Sequence, residues 1–246
     1  MVHKLVEVYR QYGLVTGLFY GIDRVLQRLS SRLRLYAYEI MVQPITDQPF
    51  LPERYARRLE FREIRRGDPE VALMPARPDI KEARFAQNAV CLGAFREGRL
   101  IGYLWFCYGQ YEEDEARCTY VVAPKGEAVF DYDLYILPEH RMGYAFAGVW
   151  HGANQYLRKR AIRYTFSRYT RFNLASRRAH ERLGGRPLGT AVFLQLGPIQ
   201  LMAASLWPFV HISMSPSRRV RLALRPAGAG GANRSRSDHP EYRCKT

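Results

Sequence analysis

Apolar and polar positions along the 246 residues change period several times, and each change marks an element. From Leu18 onward, Leu18, Phe19, Ile22, Val25, Leu26, Leu29 and Leu33 recur at the spacing of one helical stripe, with Arg24, Arg28 and Arg32 on another face. Residues 2–34 are therefore expected to be helical, with a break near Gly13. Two settings suit such a helix: an anionic membrane surface, or the flank of the domain with its arginines in solvent. Leu35 to Val42 reads as a strand and the proline-rich stretch Pro44 to Pro52 as a linker. Leu59 to Ile64 suits a first strand of the main domain, and Asp68 to Gln87 an irregular or helical segment. Ala89 to Phe95 and Leu100 to Tyr108 are apolar strands joined by Arg96-Glu97-Gly98-Arg99, a hairpin signal. An acidic turn (Tyr111 to Glu115), a short strand (Arg117 to Val122) and a turn at Pro124-Lys125-Gly126 lead into a long strand, Val129 to Leu137. Ile162 to Tyr169 and Pro187 to Leu196 read as further strands.

Two local motifs carry chemistry. The strand ending at Leu137 opens into a helix through Pro138-Glu139-His140-Arg141-Met142-Gly143-Tyr144-Ala145. Such a turn leaves the first helical N–H groups unpaired and suited to a pyrophosphate, and small residues at 143 and 145 let a phosphate approach the main chain. The second motif follows the strand at 162–169: Asn173, Ser176, His180, Glu181, Leu183 and Gly184 in the pattern Asn-x-x-Ser-x-x-x-His-Glu-Arg-Leu-Gly, one helix with a glycine stop.

In order and at this separation, the two motifs resemble the GNAT superfamily of N-acetyltransferases. Its phosphate loop reads Gln/Arg-x-x-Gly-x-Gly/Ala and its later signature Asn-x-x-Ala/Ser-x-x-x-Tyr-Glu-Lys-Leu-Gly-Phe. The resemblance covers residues 59–197 in outline and 128–185 in firm motifs. It implies an α/β (α+β) fold: a mixed, mostly antiparallel central sheet flanked by helices, here with an N-terminal amphipathic helical extension. It also implies acetyl-CoA, or another acyl-CoA, as co-substrate, with the acyl group passing directly to an amine. The pantetheine arm would enter a V-shaped opening between the strands at 129–137 and 162–169. Main-chain groups of Tyr135, Ile136 and Leu137 would meet that arm. The turn formed by His140, Arg141, Met142, Gly143, Tyr144, Ala145 and Phe146 would hold the pyrophosphate, with Asn173 and Ser176 contributing from the second motif. Three positions depart from the family pattern: His140 replaces Gln or Arg, Gly185 replaces an aromatic, and His180 replaces the Tyr that protonates the leaving thiolate. An imidazole titrating near pH 6.5 can serve as acid or base, and His180 can equally be a packing residue.

The base has three candidates. Asp131 and Asp133 alternate with Phe130, Tyr132 and Leu134, which places both acids on one strand face. Glu127 lies just upstream, where the family often places a carboxylate. The alternative reading pairs one aspartate with an arginine of the 158–171 cluster, since buried acids need partners. Trp150 and His151 read as packing residues.

Charge adds a second possibility. The formal net charge is +15. Residues 158–182 hold nine Lys/Arg against Glu181, and residues 217–246 hold eight against Asp238 and Glu241. With the helix before residue 34 and the apolar segment 198–214, this basicity suits peripheral contact with an anionic membrane. The alternative function is thus a weakly active or non-catalytic module of the same fold binding such a surface or another polyanion. The tail has little aromatic interleaving beyond Tyr242, which argues against a nucleic-acid partner. Cys91, Cys107, Cys118 and Cys244 show no metal spacing, and no metal site is expected. The start has no signal-peptide pattern, so the expected location is the cytoplasm, including the inner face of the membrane, with a small-molecule or cell-envelope amine as acceptor. The expected organisation is an extension and linker over 1–57, the acyltransferase domain over 58–215, and a basic disordered tail over 216–246.

Overall fold

The computed structural model of the chain describes residues 17–19, 21–30, 32–171 and 173–226. The expected break near Gly13 and the tail from 227 onward lie outside the described residues. Residues 21–29 are helix α1. In chain order there follow β1 (Leu33–Pro44), α2 (Glu53–Ala56), β2 (Glu60–Ile64), α3 (Pro78–Ala86), β3 (Val90–Arg96), β4 (Arg99–Tyr108), β5 (Gln110–Glu112), β6 (Cys118–Val122) and β7 (Ala128–Ile136). The remainder is α4 (Ala145–Arg158), β8 (Tyr164–Thr170), α5 (Leu174–Arg182), β9 (Arg186–Leu196), β10 (Ile199–Ala204), β11 (Val210–Ser213) and β12 (Val220–Leu224).

Nine strands form one sheet in the order β11-β10-β9-β1-β8-β7-β4-β3-β2, and β12-β6-β5 form a second, smaller sheet. Within the large sheet only β7 and β8 run parallel. The fold is therefore the mixed, mostly antiparallel sheet with flanking helices that the motifs imply. β1 departs from the expected organisation. Although it falls within the range read as an extension, it lies between β8 and β9 and pairs with both. Its residues from Ala37 to Gln43 are almost all buried, on alternate faces, as a strand covered on both sides requires.

Two apolar cores flank the large sheet. Tyr38, Trp105, Phe130, Tyr132, Phe166 and Phe193 pack on one face against Tyr111, Tyr120, Cys118 and Leu222 of the small sheet. Tyr111 stacks on Tyr132 and Phe130 at 4.1 and 4.9 Å between ring centroids. On the other face Leu104, Phe106 and Val129 pack against Val149, Trp150, Ala153 and Leu157 of α4. α4 approaches closely because Gly152 sits against the Phe61 ring, where a Cβ would overlap it.

The C-terminal part also differs from expectation. Val220, Leu222 and Leu224 alternate, buried, with exposed Arg221 and Ala223, and β12 pairs in parallel with β6. Residues 220–224 of the expected tail are thus a strand whose period-2 apolar face closes the small sheet. The segment 198–214 is a hairpin, β10 with β11, with β11 at the sheet edge.

Candidate active site

β7 and β8 are in register only at Ala128–Tyr164, Val129–Thr165 and Phe130–Phe166; beyond these pairs they part. Each arm is held by its outer neighbour, β7 by β4 and β8 by β1. The result is an opening in mid-sheet whose closed end is at residues 128–130 and 164–166.

At the head of the β7 arm, Leu137 leads through a single 3-10 turn (Pro138–His140) to Gly143 and α4. Gly143 has φ +102°, in the region that favours glycine, with nothing within 4 Å of the place a Cβ would take. Tyr144 is the N-cap and makes no side-chain capping bond, so the first N–H groups of α4 are uncapped by side chains. This turn borders a cleft of about 930 Å³ lined by Pro44, Thr46 and Phe50 from the linker, Phe146 from α4, and Ala179 and Arg182 from α5. The linker is fixed there by Asn154, whose Oδ1 accepts from Thr46 N at 3.0 Å and whose Nδ2 donates to Thr46 O. The expected phosphate residues divide. Gly143 and Phe146 border the cleft, whereas Met142 is exposed, Tyr144 stacks on Tyr55, and His140 lies 3.4 Å from an Arg96 nitrogen. Ala145 joins Arg58, Arg96 and His140 around a second, smaller opening. Arg141 turns back, donating from Nε to Ile136 O at 3.2 Å, while Leu137 N donates to Ile101 O and Tyr135 stacks on Tyr103. Asn173 caps α5, its Oδ1 accepting from Ser176 N at 3.0 Å.

On the α4 side of the sheet a buried polar row borders the closed end of the opening. Thr165 donates to Asp131, and Gln43 is the cross-strand partner of Thr165. Gln43 Oε1 lies 3.3 Å from His180 Nδ1, a contact in which the amide oxygen accepts when the ring proton is on Nδ1. The His180 ring stacks on Tyr169 and meets the edge of Trp150. Burial pushes the Asp131 carboxyl up to about 7, with the Thr165 hydrogen bond opposing, and holds the His180 imidazole down at about 4. Burial therefore favours the uncharged His180 ring near neutral pH. Gln43 Nε2 and Trp150 Nε1 are buried with no hydrogen-bond partner among the described residues. Neither Gln43 nor Thr165 stood out in the sequence; the signal was a polar residue inside otherwise apolar strands.

Asp133 does not share the face of Asp131. A bulge sets Tyr103 opposite Tyr135 but Trp105 opposite Tyr132, and Asp133 within it has φ +49°. The extra residue reverses the alternation, so Asp133 meets Arg84 on the opposite face, where the guanidinium lies over Trp105 and Tyr132. Burial alone would favour loss of the Arg84 charge, but Asp133 and Asp114 more than reverse that. On this face the acidic turn ties the two arms together. Asp114 pairs with Arg84 at 2.8 Å, Glu113 and Glu115 pair with Arg168 of β8, and Tyr38 donates to Glu115 at 2.8 Å. Glu127 lies before the closed end of the opening, paired with Arg163 at 2.9 Å, apart from the other two acids. The arginine partners of the acids thus come from α3 as well as from the 158–171 cluster. Among the described residues no group of His, Cys, Asp and Glu could hold a metal ion.

Parted parallel strands, a helix after a glycine turn with no side-chain cap, and a cleft bordered by α4 and α5 thus lie together in this domain. Residues 58–185 match the acetyltransferase (GNAT) family, and the chain belongs to that family. Solved structures of similar fold include a protein of Novosphingobium aromaticivorans assigned to the GNAT family, at 15% identity and TM-score 0.44, covering 68% of this chain and 66% of that one. Others are the glucosamine N-acetyltransferase region of a fungal multi-domain β-N-acetylglucosaminidase (14%, TM-score 0.45, 68% and 22%) and a tandem GNAT protein from the clavulanic acid biosynthesis pathway (16%, TM-score 0.42, 69% and 54%). The chain spans just under two thirds of the first of these and less of the other two. No curated protein sequence matches it.

Proposed function

We propose that the protein transfers an acetyl or other short acyl group from acyl-CoA directly to an amine. The observation that carries the reading is the opening between β7 and β8 with the Gly143 turn at its head. The residues present fit the co-substrate. The N–H groups at the start of α4 and Arg182 in the cleft suit phosphate charge, and two buried donors, Gln43 Nε2 and Trp150 Nε1, lack partners that carbonyl groups of a pantetheine arm would supply. Bound acyl-CoA supplies the activated thioester.

The chain's own residues supply the base, and the thiolate released as the C–S bond breaks takes up a proton from solvent. An amine attacks only after losing its proton, and a carboxyl titrating near 7 is well matched to that task. Asp131 is accordingly assigned as the base, acting with Thr165. Asp133 is committed to its ion pair with Arg84, and Glu127 lies outside the opening. His180 acts as a positioning residue that holds Gln43. The acceptor is a small-molecule or cell-envelope amine.

Calorimetry with acetyl-CoA tests the reading. Saturable binding is expected, and Gly143→Val, which forces a branched residue to φ +102°, should weaken it by about tenfold or more. Absence of saturable binding to the native chain would remove the proposal.

A further inference from the structure

At the end of the large sheet away from the opening, one face carries two aliphatic rows, bordered on β1 and β9 by Glu39, which is paired with Arg171 and Arg177, and Thr190. Cross-strand partners share a face. Leu35, Leu194, Leu201 and Ile212 stand side by side on β1, β9, β10 and β11, and Ala37, Val192, Ala203 and Val210 form the adjacent row. The reverse face of the same strands is buried against the small sheet through Tyr38, Phe193 and Met202. The aliphatic face is not buried in this way toward the sheet edge: Val210 is 70% and Ile212 57% exposed, and Trp207, at the hairpin tip, is 72% exposed. α1 adjoins the same end, since Asp23 Oδ1 accepts from Leu35 N at 3.1 Å, and it too presents Ile22, Val25 and Leu29 to solvent. Leu35 and Ala37 are themselves buried, so the exposed part of the face is its β10–β11 end, and an exposed apolar patch of this kind marks an interaction site.

Charge selects the occupant. Arg32, whose carbonyl accepts from Gly197 N at the β9–β10 turn, and Arg218, whose carbonyl accepts from Ser213 Oγ at the end of β11, are both exposed at the borders of the face. A second copy of the chain would bring another formal charge of +15 to the contact, whereas an anionic lipid surface complements it. An exposed tryptophan at the rim also suits the headgroup level of a bilayer. No helix among the described residues is long and apolar enough to cross a membrane, so the attachment is to its surface.

We propose that the aliphatic end of the large sheet, with Trp207 and the apolar side of α1, docks the protein on an anionic lipid surface. The contact is independent of acyl-CoA binding and would bring the acyl-transfer site to amines held at the membrane.

Flotation of the full chain with vesicles of phosphatidylcholine, with or without phosphatidylglycerol, tests it. The protein is expected to float with the anionic vesicles and not with the neutral ones, and to be released by high salt. Of the three tryptophans, Trp105 and Trp150 are already buried, so a blue shift of emission on binding reports Trp207. Val210→Glu with Ile212→Glu should reduce flotation by about tenfold or more while circular dichroism stays native. Trp207→Ser, in an exposed loop, should weaken flotation severalfold even where the strand variant proves unstable. Native protein that ignores anionic vesicles, or a folded strand variant that floats as well as the native chain, overturns the proposal. So does a dimer that the strand variant dissociates, since the face would then belong to a second copy.

Discussion

Gln43 on β1 and His180 on α5 meet at 3.3 Å, both buried, and so join the inserted strand to the helix of the second motif. Removing the ring leaves the Gln43 amide without its contact. His180→Phe should lower kcat by about tenfold while acetyl-CoA affinity stays nearly unchanged, as a displaced positioning residue would give. His180→Asn, which can still donate, should recover part of the loss. Because the ring is already neutral at pH 7, neither change should remove a limb of the pH–rate profile between 6 and 8. Loss of such a limb would restore His180 as the proton donor.

Asp131 makes the opposite prediction for that profile. With its carboxyl at about 7, kcat should rise with pH as it ionises. Asp131→Asn should lower kcat by about 100-fold or more and flatten that rise. Thiol release from acetyl-CoA with a panel of amines is the measurement, and a variant keeping the native rate and profile would exclude the assignment.

The same two groups oppose each other in stability. The His180 pKa is depressed from 6.5 to about 4, so the unfolded chain takes up its proton first as pH falls. Its contribution is present above 6.5 and lost toward pH 4, up to roughly 3 kcal/mol. The Asp131 pKa is raised from 3.8 to about 7, so its contribution is present below 3.8 and lost as pH rises toward 7, up to roughly 4 kcal/mol. Between pH 4 and 6.5 the slopes nearly cancel. Relative to the native chain, Asp131→Asn should gain stability as pH rises across this interval, and His180→Leu should lose it. Urea unfolding across that range measures both, and curves parallel to the native one would contradict the burial argument.

What could be read from the sequence was what is decided locally. The Gly143 turn, α4, α5 and most strands follow from neighbouring residues, and each appears close to its expected place. The position of β1 does not, because pairing with β8 and β9 depends on residues more than a hundred positions away. The reversal at Asp133 was hidden for another reason: a bulge inserts one residue without changing composition. β12 shows its alternation plainly in Val-Arg-Leu-Ala-Leu, yet the basic surroundings outweighed it. Burial of His180 depends on Trp150 and Tyr169, which lie on other elements.

Gly152 gives a packing test. An alanine there would press its Cβ into the Phe61 ring of β2 and force α4 away from the sheet, at a cost of about 1–3 kcal/mol. Phe61→Leu should offset much of that cost in the double variant, because a smaller side chain frees the space. Simple additivity of the two changes in thermal unfolding would show that the contact does not set the helix position.

The bridge across the opening rests on Arg84, which holds Asp114 of the acidic turn and Asp133 of β7. Its side chain is only 9% exposed, so Arg84→Met would leave two carboxylates facing an apolar replacement, a loss of about 3 kcal/mol. Arg84→Lys keeps the charge but cannot fork to both acids, and should fall between the two. Adding Asp133→Asn to Arg84→Met should recover part of the stability by removing one unpaired charge. The turn is also anchored to β8 by Glu113 and Arg168, so loss of Arg84 should loosen only its β7 side. Hydrogen exchange should accordingly speed up at residues 131–136 while 166–170 stay protected. Equal acceleration in both arms would mean that the turn does not act as a bridge with two separate anchors.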